Sequence, residues 1–81
     1  MSRAKNVVEI IARALADRPD NISVIENEGH QGVHVELSTA GKDLGRMIGR
    51  QGRTASAIRV LAGLVAEPED SNVTVDFVDN P

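Results

Sequence analysis

The chain has 81 residues, enough for one small domain, and a formal net charge of −3. Hydrophobic residues make up 41% of it, but with one Phe and no Trp or Tyr the core must be built from Val, Ile, Leu and Ala. The absence of cysteine excludes disulfides, a thiol nucleophile and thiolate metal sites. No apolar run has the length of a signal peptide core or a membrane span, so we expect a single cytoplasmic domain over residues 1–81 that is not attached to a membrane.

The N-terminal segment has the spacing of an amphipathic helix. Between Lys5 and Asp17, apolar residues recur at three- and four-residue intervals. Ser2 is placed to cap the start of this helix, and Pro19 should end it. On the opposite face, charges of alternating sign every four positions predict a ladder of weak ion pairs through Lys5, Glu9, Arg13 and Asp17.

Three strands are predicted from alternating patterns. The first two cover Ile22–Glu28 and Val33–Ser38, joined by a short turn that Gly29 and Gly32 flank. In the second strand apolar and polar residues alternate, so one face should be buried. The third strand lies near the C-terminus, where Phe77 is in phase with two valines and is therefore predicted to pack in the core.

Between the second and third strands, helical spacing occurs twice. It runs from Leu44 to Ile48 and again from Ala55 to Val65, with a two-glycine corner between. The order is therefore αββααβ. If the last strand lies beside the second, the helix pair forms the crossover connection between them, and these two strands are parallel. The first two strands are joined by a short hairpin turn and are therefore antiparallel. The predicted fold class is α+β, a three-stranded mixed sheet with all helices on one face.

The charge distribution is strongly asymmetric. Residues 41–60 hold five of the nine Lys and Arg residues and one of the twelve acidic residues. An acidic body with one basic segment indicates a focused anion site, or arginines that only coat a helix, and charge alone leaves both open. The five basic residues are Lys42, Arg46, Arg50, Arg53 and Arg59.

The corner between the two helices is a G-x-x-G motif, Gly49-Arg50-Gln51-Gly52. Glycine at both ends lets another backbone approach closely, because no Cβ is in the way. The helix that starts at Arg53 offers free N–H groups and a positive dipole end, which favour a phosphate. By itself the motif also fits any helix–turn–helix corner.

The context narrows these alternatives. The segment 43–53 (DLGRMIGRQGR), followed by Ala57-Ile58-Arg59 in an αββααβ order, resembles a type II KH domain. It is similar to the small stand-alone bacterial KH proteins of the KhpA (YlqC) type, and the resemblance covers essentially the full chain. It implies a G-x-x-G loop that holds the backbone of single-stranded RNA, with about four nucleotides in an apolar groove. The resemblance implies that Gly49, Arg50, Gln51 and Gly52 form this loop and that Ile48 lies in the groove. The basic segment adds four further predicted RNA-binding residues, Lys42, Arg46, Arg53 and Arg59. Ala55 stands where KH domains often have a larger aliphatic residue, which implies a shallower groove.

The resemblance also implies partners and a cellular role. It implies self-association or pairing with a Jag-type protein that carries KH and R3H domains (KhpB), and an RNA chaperone role in post-transcriptional regulation linked to cell shape. The small, aromatic-poor core independently favours self-association. The alternative is a protein-interaction or ribosome-associated module whose basic corner contacts structured RNA or a partner protein.

An enzyme is not predicted, and neither is a cofactor or a metal. His30 and His34 flank the hairpin turn near Glu36, but with no third histidine or cysteine they do not form a zinc site. A nucleophile, a base and an orienting group cannot be assembled from these residues and scattered carboxylates.

Overall fold

The computed structural model describes residues 2–29, 32–68 and 72–80. Its helices are α1 (Arg3–Leu15), α2 (Gly41–Ile48) and α3 (Arg53–Val65), and its strands are β1 (Ser23–Gly29), β2 (Gly32–Thr39) and β3 (Asn72–Asp79). Short 3-10 turns occur at Pro19–Asn21 and Arg50–Gly52. The predicted order αββααβ is confirmed.

The sheet has the order β1-β2-β3, with β2 in the centre. β1 and β2 are antiparallel, whereas β2 and β3 are parallel, so that Val35 pairs with Glu26 on one side and with Val75 on the other. A parallel pair needs a crossover connection, and α2 and α3 provide it. The predicted mixed topology is confirmed.

One face of the sheet carries the core. Along β2 buried and half-buried residues alternate, so Val33, Val35 and Leu37 point toward the helices. Phe77 on β3 is half-buried and packs against the same cluster, as its phase predicted. Helix α1 contributes only small side chains to this core, alanine and valine. The helices contribute Ala4, Val8, Ala12, Met47, Ile58 and Ala62.

Helix α1 is capped as predicted but ends earlier. The Ser2 hydroxyl accepts a hydrogen bond from the Lys5 amide at 3.0 Å, which confirms the cap. The helix ends at Leu15, because Ala16 takes an extended conformation with ψ 143°. Of the predicted ion-pair ladder, the Glu9–Arg13 pair is present at 3.0 Å, whereas Lys5 and Glu9 form no ion pair with each other in the described part of the chain. Its extension to Asp17 is wrong, since Asp17 lies beyond the helix end and its carboxylate contacts Arg46 instead.

Two of the predicted segments lie partly outside the described residues. One is the tip of the β1–β2 hairpin, His30 and Gln31. The other is the acidic segment after α3, residues 67–70, which the sequence places at the end of that helix and of which Glu69 and Asp70 are not described. Within the described part of the chain, no helix combines the length and apolar character needed to span a membrane.

Candidate nucleic-acid interface

The backbone reverses direction within four residues at the corner between α2 and α3. Gly49 follows α2 with φ 75° and ψ 173°, and its amide donates to the Gly45 carbonyl at 2.8 Å. Gln51 and Gly52 then take left-handed conformations, with φ 58° and 73°. The Gly52 amide donates to the Gly49 carbonyl at 3.1 Å and closes the turn. Helix α3 begins at the next residue, Arg53.

The two glycines of the motif are needed for different reasons. A Cβ on Gly49 would overlap the Thr54 hydroxyl and would lie 2.8 Å from the Thr54 Cβ and 2.9 Å from its backbone nitrogen. A Cβ on Gly52 would meet no atom within 4 Å. Gly49 is therefore required by close packing against the first turn of α3 in addition to its backbone conformation, and Gly52 by its backbone conformation alone.

The residues between the glycines carry exposed polar side chains. Gln51 is, among the residues that the structure describes, the single non-glycine with positive φ. Its side-chain oxygen accepts a hydrogen bond from Arg53 Nη2 at 3.2 Å. Arg50 is exposed, and its guanidinium has no hydrogen-bond or ion-pair partner in residues 2–29, 32–68 and 72–80. Arg53 likewise forms no ion pair within the described residues, so the corner presents two positive charges that no described carboxylate compensates.

Arg46 is held by two carboxylates. Its Nη1 lies 2.7 Å from Asp17 Oδ2 and 3.1 Å from Asp43 Oδ1. The buried Asp43 carboxylate also accepts the amides of Asp17 and Arg18 at 2.9 and 3.1 Å. The Asp17 amide is the main cause that holds the pKa of Asp43 below its ordinary value. The Asp17 carboxylate likewise raises the pKa of Arg46. These contacts join α2 to the segment after α1 and compensate the Arg46 charge.

Arg59 and Lys42 lie away from the corner. The Arg59 Nε donates to the Val75 carbonyl on β3 at 3.1 Å, and its guanidinium carbon lies 5.1 Å from the centre of the Phe77 ring. Lys42 is exposed in the first turn of α2, about 9 Å of helix before Ile48. Only part of the predicted set is therefore gathered in one place.

The apolar neighbours of the corner differ in exposure. Ile48, the last residue of α2, is 38% exposed beside the loop, where the prediction places a groove residue. Ala55 is buried and packs inside the fold. The sequence reasoning missed Thr54 and Asp17 as partners of Gly49 and Arg46. The Arg46–Asp17 contact joins residues 29 positions apart, so it depends on the tertiary arrangement. The close approach of Thr54 to Gly49 depends on the exact conformation of the loop.

The hairpin histidine that the structure describes has ordinary polar neighbours. His34 Nδ1 lies 2.7 Å from the Thr74 hydroxyl, and its Nε2 lies 3.4 Å from Asp76 Oδ2. His30 lies outside the described residues. No group of three or more His, Cys, Asp or Glu side chains suited to a metal ion occurs in the described part of the chain.

A mixed sheet whose parallel strands are joined by two helices with a G-x-x-G corner defines a type II KH domain. The profile of the KhpA/KhpB KH domain matches residues 5–77, and the chain belongs to this family. The predicted resemblance is thereby confirmed, and so is the non-enzymatic class.

Curated relatives match over nearly their full length. The chain is 44% identical over 72 residues to the RNA-binding protein KhpA of Caldanaerobacter subterraneus subsp. tengcongensis. The aligned region covers 89% of this chain and 96% of that protein. The chain is 41% identical over 75 residues to the protein of that name from Halalkalibacterium halodurans, covering 93% and 99%. The identity to the Aquifex aeolicus protein is 34% over 79 residues, covering 98% and 100%. No solved structure gives a significant match to the chain.

Proposed function

We propose that this chain binds short single-stranded RNA through the loop 49–53. In this proposal it acts as a single KH domain over residues 1–81 and catalyses no reaction. The observation that carries the proposal is the loop itself, where two glycines and a left-handed Gln51 fold the backbone tightly. Beside it lies the exposed Arg50, which forms no ion pair with any residue that the structure describes. The names of the curated relatives, RNA-binding protein KhpA, support the same function.

The proposed mechanism is electrostatic and geometric. Helix α3 has no side-chain cap at its first turn, so the N–H groups there remain for a phosphate oxygen. Arg50 and Arg53 neutralise the phosphate charge from the exposed side of the loop. Ile48 offers an apolar surface to a base at the end of α2. Because Arg46 is compensated by Asp17 and Asp43, its contribution is the smallest of the three arginines near the loop.

The test replaces Arg50 and Gln51 together by Asp. Two carboxylates would then stand where phosphate oxygens approach α3. Like charges about 4 Å apart repel by ~4 kcal/mol at an effective dielectric of 20, and with screening we expect a ten- to hundredfold loss of affinity. Both side chains are exposed, so the melting temperature should change little. Fluorescence anisotropy with unstructured RNA measures the affinity, and circular dichroism measures the melt.

A matched control makes the same charge change elsewhere. The variant Asn6→Asp/Arg18→Asp alters exposed residues in and after α1 and should bind RNA nearly as the parent does. If the loop variant is folded and binds like the parent, the G-x-x-G loop is not the site. If the parent binds a structured RNA but not an unstructured strand, the ribosome-associated module is the better description.

We also propose that the chain works as a pair. Helix α3 leaves large apolar side chains in water, with Val60 60% and Leu64 75% exposed. Covering this face with a second copy, or with a Jag-type KH/R3H protein, would add a second RNA site and raise the apparent affinity by avidity. Sedimentation equilibrium should show a dimer for the parent and a monomer for Leu64→Glu. A parent that stays monomeric at high micromolar concentration would refute the homodimer, and mixing with the Jag-type protein then tests the mixed pair.

The proposed setting is cytoplasmic post-transcriptional regulation, with an RNA chaperone role and an effect on cell shape. This part of the proposal is supported by the family resemblance. Crosslinking in cells followed by sequencing of the bound RNA tests it, because the parent should recover discrete transcripts and the Arg50→Asp/Gln51→Asp variant should lose them. Cell length in a deletion strain measures the effect on shape.

A further inference from the structure

We infer that Arg59 reads one base of the bound strand and selects guanine or cytosine, the bases that present two adjacent hydrogen-bond acceptors. The inference rests on the proposed RNA-binding function and adds a base preference to it. Arg59 differs from the other arginines of the basic segment because it is held against the sheet. Its Nε donates to the Val75 carbonyl at 3.1 Å, and its guanidinium carbon lies 5.1 Å from the Phe77 ring centre.

These two contacts fix the orientation of the guanidinium. A hydrogen bond through Nε and a cation–π contact with an aromatic ring hold the planar group from two directions. β3 is at the edge of the sheet, so this group lies at the border between α3 and the sheet edge. The Arg59 residue remains exposed, unlike the core residues of α3 such as Ile58. A fixed and exposed donor group is suited to recognition rather than to general charge neutralisation.

The free end of Arg59 determines which ligand fits. With Nε engaged, the two Nη groups remain as a fork of parallel donors. No carboxylate within the described residues forms an ion pair with Arg59, so the fork is not occupied by the protein there. Such a fork matches two acceptors side by side, as in the pairing of arginine with guanine O6 and N7.

The four bases differ in whether they present two hydrogen-bond acceptors side by side. Guanine offers O6 and N7, and cytosine offers O2 and N3, as neighbouring acceptors. In adenine the N6 donor separates N1 from N7, and in uracil the N3 donor separates the two carbonyl oxygens. A single strand exposes all of these edges to a protein. The fork should therefore accept guanine or cytosine and leave donors unpaired against adenine or uracil.

The position of Arg59 agrees with a base contact. It follows Arg53 by six residues on α3, which corresponds to about 9 Å along the helix axis. A strand whose phosphates are bound at the loop can therefore extend along α3 and place a base at the border with β3. This distance lies within the stretch of about four nucleotides that a KH domain binds.

The first experiment needs no substitution. Short uridine strands that carry guanine, cytosine, adenine or uridine at the central positions are titrated against the parent protein by fluorescence anisotropy. We expect the guanine and cytosine strands to bind roughly five- to hundredfold more tightly than the adenine and uridine strands, the discrimination typical of one good bidentate contact. Equal affinity for all four strands would overturn the role of Arg59 and leave the proposed function intact. Absence of binding to every strand would overturn the proposed function itself.

The second experiment assigns the preference to Arg59. Arg59→Lys keeps the charge but loses the fork, so the affinities for the guanine and cytosine strands should fall to the level of the adenine strand. Arg13→Lys is the matched control, because Arg13 is also exposed and also donates to a backbone carbonyl, that of Pro19, but lies on α1. A preference that persists in Arg59→Lys would overturn the inference. If this variant melts too low for titration, the pattern across the four strands with the parent decides.

Discussion

Replacing each glycine of the loop by alanine should separate the two roles that the structure gives them. At Gly52 the added methyl meets nothing within 4 Å, so only the left-handed backbone at φ 73° is strained. That strain costs about 1–2 kcal/mol and is partly offset by about 0.4–1 kcal/mol, because alanine restricts the unfolded chain. Gly52→Ala should therefore lower the free energy of unfolding by roughly 0.5–1 kcal/mol.

Gly49→Ala should cost much more. Its φ of 75° with ψ of 173° belongs to a region that is essentially restricted to glycine, and occupying it costs about 1–3 kcal/mol. The methyl would also lie 2.8 Å from the Thr54 Cβ and 2.9 Å from its backbone nitrogen, and such overpacking costs about 1–3 kcal/mol more. The total is about 2–6 kcal/mol, a large part of the stability of a small domain.

Thermal melts followed by circular dichroism measure the difference. Each kcal/mol corresponds to about 4–8 °C for a domain of this size. Gly52→Ala should therefore melt a few degrees below the parent, and Gly49→Ala more than about 8 °C below it. Thr54→Ala, added to Gly49→Ala, should restore little, because the Cβ and backbone nitrogen of Thr54 remain. Equal losses for the two glycine variants, or full rescue by Thr54→Ala, would refute the packing argument.

Two further outcomes follow from the charges. The Ser2 hydroxyl and the Ser2 amide, which donates to Glu26 Oε1 at 2.9 Å, lower the pKa of Glu26, and the Asp17 amide lowers the pKa of Asp43. Each carboxylate therefore stabilises the fold above its ordinary pKa, 4.5 for Glu26 and 3.8 for Asp43, and this stabilisation is lost as the pH falls through the lower pKa of the folded state. The double variant Glu26→Gln/Asp43→Asn lacks both groups. Its free energy of unfolding in urea should therefore depend less on pH below about pH 4.5 than that of the parent. The salt dependence of RNA binding measures how many phosphates are neutralised. If Arg50 and Arg53 neutralise two, the logarithm of the binding constant should fall with the logarithm of the salt concentration with a slope of about −1.4. A slope of about −2 would show that a third group takes part, and a slope near −6 would contradict a site of this size.

The sequence predicts the architecture well because the signals are periodic. Alternation and helical spacing identify all six main elements, and the position of the glycine corner between two helices follows from the same pattern. The side-chain contacts of the site are different. Arg46 and Arg59 resemble Arg50 in the sequence, but Arg46 is compensated by Asp17 and Arg59 is fixed on β3. These partners are 29 and 16 residues away along the chain, so no local pattern reveals them.

Element boundaries were less predictable for a related reason. The end of α1 was expected two residues after Leu15, since Ala16 and Asp17 are compatible with a helix by themselves. In the fold, Asp17 donates its amide to Asp43, a contact from another element that the propensity of the segment does not include. The left-handed conformation of Gln51 was also not foreseen, because glycine, not glutamine, is the usual residue there.

The parallel pairing of β2 with β3 has a consequence for the rate of folding. Each residue of β2 pairs with a residue 40 positions later, from Gly32 with Asn72 to Thr39 with Asp79. Closing so long a loop is slow compared with forming the adjacent hairpin, because chain entropy is lost before the contacts form. Since the G-x-x-G corner lies inside that loop, an intermediate with only the β1–β2 hairpin cannot bind through it. In a refolding experiment, RNA-binding competence should therefore appear with the closure of the sheet, after the hairpin signal.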